Sequence, residues 1–127
     1  MGRSRPGLAH QPASRRGALG RMGESLVADW YAERGFMIVA RNWRRRAGEI
    51  DIVARRVNLT VVCEVKTRST SFFGSPASAV GAQKQRRLRS LAAEFLAENP
   101  CRGQVRFDVA EVVMTDRVEL RVIEGAF

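Results

Sequence analysis

The chain has 127 residues, 45% apolar and 28% charged, a balance that suits one folded domain with a single core. It carries 22 Lys and Arg against 13 Asp and Glu, a net charge of +9, and 20 of the 22 cations are arginine. Guanidinium groups bind phosphates bidentately, so this charge predicts a polyanionic partner, nucleic acid before a membrane surface, although a biased genome also enriches arginine.

Several protein classes are excluded by the distribution of apolar and metal-binding residues. The longest apolar run, Phe36 to Ala40, is far shorter than the ~20 residues that span a bilayer, and no apolar stretch follows Arg15-Arg16 as in a secretory signal. Cys63 and Cys101 form no CxxC pair, and the only histidine is His10. We therefore expect reduced thiols, a cytoplasmic location, and neither a zinc cluster nor histidine-dependent nucleophilic catalysis.

The N-terminal segment differs in composition from the rest of the chain. Residues 1–16 contain four arginines and no acid among Gly, Ser, Pro and Gln, which predicts a disordered basic arm. This arm is either a nonspecific nucleic-acid contact or a dispensable extension. Because no repeat or linker interrupts residues 17–127, we expect one domain there.

A helix is predicted from about Ala18 to Arg34, because large apolar residues recur there at helical spacing and Gly35 is placed to end it. The recurring residues are Leu19, Met22, Leu26 and Trp30. Glu24 lies at the edge of this apolar stripe.

Three strands rich in Val and Ile follow, and their short connections predict antiparallel neighbours. They are Phe36 to Trp43, Glu49 to Arg55 and Leu59 to Thr67. A second helix is predicted to open at Ser75-Pro76, with serine at the cap, and to run to about Glu98. Strands Val105 to Met114 and Val118 to Ile123 complete the order α-β-β-β-α-β-β. This order predicts an α/β domain with a mixed sheet, because the long helix can carry the chain across one face.

Asp51 and the Glu64-Val65-Lys66 pattern carry the chemistry of the sequence. Side chains at i and i+2 of a strand share a face about 6.6 Å apart, so Glu64 and Lys66 point the same way. Antiparallel pairing around the turn at residues 56–58 brings Asp51 close to Glu64. Two carboxylates on an apolar sheet repel each other and are costly to desolvate, and a hard divalent cation resolves that conflict.

Mg²⁺ is the usual occupant of an oxygen site of this kind, with Mn²⁺ as a substitute. Lys66 beside the metal can orient water and neutralise a phosphodiester oxygen as it becomes negative. The pattern predicts a phosphodiester hydrolase with Asp51 and Glu64 as metal ligands. The alternative is a surface hairpin in which these residues form ordinary solvated ion pairs.

Short segments between about residue 17 and residue 115 form a specific set. They are Gly23-Glu24-Ser25-Leu26-Val27-Ala28, Gly35-Phe36, Arg41-Asn42-Trp43-Arg44, Gly48 to Ala54, Cys63 to Arg68, Phe73-Gly74, Lys84 to Leu88 and Arg106 to Val109. Together they resemble the YraN-like uncharacterised protein family. That resemblance implies a restriction-endonuclease-like core, a mixed sheet flanked by helices, similar to archaeal Holliday-junction resolvases.

The resemblance also implies roles for individual residues. Asp51 and Glu64 become metal ligands, Lys66 the catalytic lysine, and Glu24 an auxiliary ligand or water-orienting carboxylate. Glu24 is equally favoured at the start of a helix by the helix dipole alone. Glu49, two residues before Asp51 on the same strand, is either an extra ligand or a partner for the arginines at 44–46.

A basic surface is predicted from the chain between Val65 and Ala93, which holds six cations and no acid. With the turn arginines, the candidate nucleic-acid contacts are Arg44, Arg45, Arg46, Arg68, Lys84, Arg86 and Arg87. Lys84 interrupts an apolar helix face, so it either extends to solvent or reaches a phosphate near the metal. Phe72-Phe73 is either a wedge for an opened duplex or a buried pair.

The sequence thus predicts a Mg²⁺-dependent, endonuclease-like domain that binds DNA through phosphates and shape. Branched or junction DNA is the substrate that the resemblance favours. The alternatives are a catalytically silent nucleic-acid-binding module of the same fold and a protein whose basic face docks on an acidic partner. A homodimer would suit a two-fold symmetric substrate, but no interface stripe in the sequence specifies one.

Overall fold

The computed structural model describes residues 12–69 and 80–127, with side-chain surroundings from residue 17 onward. This part of the chain has the predicted order α-β-β-β-α-β-β. The elements are α1 (Pro12–Glu33), β1 (Met37–Arg45), β2 (Gly48–Arg56), β3 (Leu59–Arg68), α2 (Ala82–Glu98), β4 (Gln104–Met114) and β5 (Val118–Ile123). The α/β fold class is confirmed.

The first helix begins earlier than the sequence expectation. Helix α1 begins at Pro12, so residues 12–16 of the predicted arm are helical, and proline suits a first helical position because its missing N–H has no partner to lose. Helix α2 begins at Ala82 with Gly81 at its N-cap. Residues 1–11, Phe72-Phe73 and Ser75-Pro76 lie outside the described residues.

The five strands form one mixed sheet in the order β1-β2-β3-β4-β5. Strands β3 and β4 are parallel, and the other three neighbouring pairs are antiparallel. A parallel pair needs a long crossover, which the chain between β3 and β4 supplies with α2. Strand β3, which carries Glu64 and Lys66, is therefore the central strand.

One helix covers each face of this sheet. Val27 and Tyr31 of α1 pack on one face against β2, β3 and β4, and Leu88, Leu91 and Phe95 of α2 pack on the other. Alternating side chains of β2 and β3 feed both layers, which is why these strands read as continuous apolar runs. The domain has three layers, helix, sheet and helix.

The described residues include no helix with the length and apolar content needed to cross a membrane. Cys63 is buried and Cys101 exposed, and both are free thiols.

Candidate metal centre and its surroundings

The centre of the site is a gap between β2 and β3. Their pairing runs from Arg56 opposite Leu59 to Ile52 opposite Cys63, which is the register expected from the turn. Beyond that point Asp51 Oδ2 accepts a hydrogen bond from the backbone N–H of Val65 at 2.8 Å. A side chain of β2 thus replaces a backbone partner, and the two strands part where the acidic residues begin.

The side-chain pattern of β2 changes at the same place. Ile52 and Ala54 pack in the α1 layer and Val53 in the α2 layer, as alternation requires. Ile50 also packs in the α2 layer, although strict alternation would place it in the α1 layer together with Ile52. The break falls at Asp51 and directs its carboxylate toward the gap.

Asp51 is surrounded by other carboxylates. Burial, followed by the negative charge of Glu64, raises the pKa of Asp51 to about 8. The charges of Glu24 and Glu49 act in the same direction, and the Val65 hydrogen bond opposes them. Asp51 and Glu64 also border one cavity, which is the proximity that the register predicted.

The tightest acidic group joins α1 to β2. One carboxylate oxygen from each of Glu24, Glu49 and Asp51 lies within 4.8 Å of the other two. Within residues 17–69 and 80–127, Glu24 Oε1 is buried and has no hydrogen-bond partner. Burial raises the pKa of Glu24, while a hydrogen bond from Asn42 lowers it. Three carboxylate oxygens this close, on a set of residues in which Glu24 Oε1 has no donor in the described part of the chain, fit a hard cation, since it supplies the missing positive charge.

The structure shows one of the two roles that the sequence left open for Glu49, while its role as a ligand stays a prediction. Its Oε1 accepts a hydrogen bond from Arg44 Nε at 2.9 Å, so it is a partner of the turn arginines. It also belongs to the oxygen group around Asp51. One oxygen can face the arginine while the carboxylate remains in the site.

Glu64 is held from the opposite layer. Lys84 Nζ of α2 lies 2.5 Å from Glu64 Oε2, and the Glu64 side chain is only 7% exposed. Of the two fates expected for Lys84, extension to solvent is wrong, because the ammonium turns into the site. Its target here is a carboxylate.

The carboxylates line a cavity on each face of the sheet. The α2-side cavity, about 260 Å³, is bounded by residues that include Glu49, Asp51, Glu64, Lys84 and Arg87. The α1-side cavity, about 360 Å³, is bounded by residues that include Arg21, Glu24, Asn42, Arg44 and Glu49. Glu49 borders both, so the oxygen group is reached from either side.

Lys66 lies on the expected face but outside this group. Cys63 and Val65 pack in the α1 layer, so Glu64 and Lys66 face the α2 layer. Among the described residues, no ion pair or hydrogen bond to the Lys66 ammonium is found, and it borders neither cavity. Its catalytic role stays a prediction.

Several predicted nucleic-acid contacts are held by acids of the chain itself. Arg44 pairs with Glu49, Arg45 with Glu98 at 2.5 Å, and Arg68 with buried Glu111 at 3.3 Å. Arg46, Arg86 and Arg87 are exposed, and in the described part of the chain no acid pairs with them. Of the seven predicted contacts, these three are exposed and have no acidic partner in the described residues.

Asn42 is the site residue that sequence reasoning missed. It lies in β1 with a positive φ of 51°, and its side chain hydrogen-bonds Glu24. Asparagine is depleted in strands and tolerates left-handed φ, so an asparagine inside a strand pattern was the available signal.

Comparison with known proteins places the chain among bacterial relatives without an assigned role. A family model described as "Uncharacterised protein family UPF0102" matches residues 23–112. A UPF0102 protein of Streptomyces griseus is 51% identical over 104 residues, covering 80% of this chain and 87% of its own. One from Frankia casuarinae is 48% identical over 113 residues, covering 87% and 96%. One from Leifsonia xyli is 47% identical over 96 residues, covering 75% and 81%.

Proposed function

We propose that this chain, which belongs to the uncharacterised protein family UPF0102, is a Mg²⁺-dependent endonuclease that hydrolyses phosphodiester bonds in DNA. The observation that carries the proposal is the convergence of Glu24, Glu49 and Asp51 oxygens within 4.8 Å, next to a gap in the sheet. A structural role alone does not explain it, because crowded, partly buried carboxylates destabilise a fold that holds no cation.

The donor set fits Mg²⁺ or Mn²⁺. All the groups are carboxylate oxygens, the ligands that hard divalent cations prefer, and no thiol or imidazole is among them. Asp51 and Glu64 would hold the cation, with Glu24 and Glu49 completing the set. A bound Mg²⁺ supplies Lewis acidity and makes hydroxide available near neutral pH.

The other residues act on the substrate. Lys66, on the same strand and face as Glu64, would neutralise a phosphate oxygen that gains negative charge. Arg46, Arg86 and Arg87 are free to bind neighbouring phosphates. None of these groups reads a base edge, so recognition would depend on phosphate spacing and DNA shape, branched DNA included.

A second candidate function rests on the contact between Lys84 and Glu64. That ion pair neutralises Glu64 without any metal ion. A catalytically silent DNA-binding module of the same fold would keep this pair permanently closed. Such a module binds DNA and never cleaves it.

The test is nicking of supercoiled and four-way-junction DNA in Mg²⁺ or Mn²⁺. Asp51→Asn should lower the cleavage rate by about 100-fold or more, because it removes the carboxylate shared by both parts of the site. Asp29→Asn, an exposed acid of α1 away from the gap, is the matched control and should cleave as the wild type does. Equal cleavage by Asp51→Asn and wild type would refute the endonuclease assignment. DNA binding without cleavage in either metal would favour the silent module.

A further inference from the structure

Lys84 has an unusual position for a lysine. It is the third residue of α2, and the positive end of the helix dipole disfavours a cation there. Its side chain is 39% exposed, yet the ammonium lies 2.5 Å from the nearly buried Glu64. The contact with Glu64, and not a preference of the helix terminus, therefore explains why a lysine occupies this position.

This contact conflicts with a cation on Glu64. The same carboxylate would hold an ammonium and a divalent cation a few ångströms apart, where like charges in a partly buried site repel strongly. Because Lys84 contacts Oε2 of a carboxylate that the proposed cation would also bind, arrival of the cation favours displacement of the ammonium. Lys84 is the group that can move, because its flexible four-carbon side chain is 39% exposed and borders the adjoining cavity.

We propose that Lys84 is an exchangeable partner of Glu64, bound to the carboxylate in the cation-free protein and transferred to a phosphate of the nucleic acid when a divalent cation binds. This inference rests on the proposed function and adds a device to it. The destination is the α2-side cavity of about 260 Å³, which Lys84 shares with Arg87. Lys84 and Arg87, two cationic side chains on the wall of one cavity, form a phosphate site once Lys84 has left Glu64.

The first test is the affinity for Mn²⁺ alone, measured by calorimetry at constant pH. Lys84→Met should bind Mn²⁺ about tenfold more tightly than the wild type, because the ion no longer displaces a charged hydrogen bond. Lys84→Arg keeps the charge and should remain close to wild type. Arg102→Met removes an exposed charge near the start of β3, away from Glu64 and with no ion pair in the described residues, and should change the affinity by about twofold or less.

The second test is the salt dependence of binding to duplex DNA. With Ca²⁺ present, Lys84→Met should lower the slope of log affinity against log salt by about 1, the loss of one phosphate contact. With chelator present, the slope should equal that of wild type, because Lys84 is then held by Glu64. A structural role for Lys84 would not produce a cation-dependent difference.

Unchanged or weaker Mn²⁺ binding by Lys84→Met, with Mn²⁺ bound by the wild type, overturns the exchange and leaves the proposed function standing. If neither the wild type nor any variant binds Mn²⁺, the proposed function itself falls. Lys84→Gln carries the same measurements if the methionine variant does not fold.

Discussion

A Cβ atom on Gly23 would lie 2.1 Å from Oγ1 of Thr67, so α1 meets β3 at a residue that has no side chain. The next residue of α1 is Glu24, whose carboxylate belongs to the oxygen group. The close approach therefore sets how far Glu24 reaches toward β2.

Gly23→Ala should destabilise the protein by about 1–3 kcal/mol in urea unfolding, because the added methyl overlaps Thr67 and outweighs the gain in helix propensity. It should also weaken Mn²⁺ binding, because α1 must move and carry Glu24 away. Gly20→Ala is the control, since no neighbouring atom lies within 4 Å of its Cβ position. The control should gain up to about 1 kcal/mol. Equal effects of the two substitutions would contradict the packing argument.

Stability of the cation-free protein should fall as pH rises. Burial and neighbouring charge raise the pKa of Asp51 from 3.8 to about 8. Between these values the folded protein holds a proton that the unfolded chain has lost, so stability present below the unfolded pKa is lost as pH passes the folded pKa. Urea unfolding with a chelator across this range measures the slope.

Asp51→Asn should flatten that slope and exceed the wild type in stability above the folded pKa, by roughly 2 kcal/mol after allowance for solvent screening. The amide oxygen can still accept the Val65 hydrogen bond. A wild-type protein whose stability is level across the range would show that the crowded carboxylates do not repel as described.

The membership of the cation site separates the predicted ligand pair from the larger oxygen group. Glu24→Gln and Glu49→Gln should each weaken Mn²⁺ binding by about tenfold or more, measured by calorimetry or by the shift in melting temperature. Asp29→Asn again serves as the control. If only Glu24→Gln weakens binding, Glu49 is a partner of Arg44 and no more.

Val57 sits at the turn that sets the register of β2 and β3. It is 90% exposed and has a positive φ of 52°, which is strained for a β-branched residue. Val57→Asn should stabilise the protein by about 0.5–1 kcal/mol, because asparagine tolerates this conformation. Thermal unfolding checks the sign. Val118→Asn, an exposed valine at the start of β5, is the comparison and should bring no such gain.

The element order and the β2–β3 register could be predicted because they depend on local information. Apolar periodicity separates helix from strand, and a tight turn fixes which residues face each other. The start of α1 could not be predicted, because Arg15, Arg16 and Gly17 interrupt the apolar pattern on which the prediction depended.

The site was predictable in part for a similar reason. Strand alternation and register together brought Asp51 to Glu64. Whether the Lys84 ammonium extends to solvent or turns into the site depends on the rotamer of its long side chain, and residue spacing does not determine that rotamer. Glu49 was ambiguous because its cationic partner Arg44 and its carboxylate neighbour Asp51 both lie within a few residues of it in the sequence.

The pairing of β2 with β3 ends next to Asp51, which leaves an opening in the sheet there. A sheet paired along its full length would separate the cavity on the α1 face from the cavity on the α2 face. Glu49 borders the cavities on both faces, so under the proposed function a metal ion would approach from the Glu24 side while a DNA strand lies against the Lys84 side. The ion and the nucleic acid would then reach the same residue from opposite faces of the sheet.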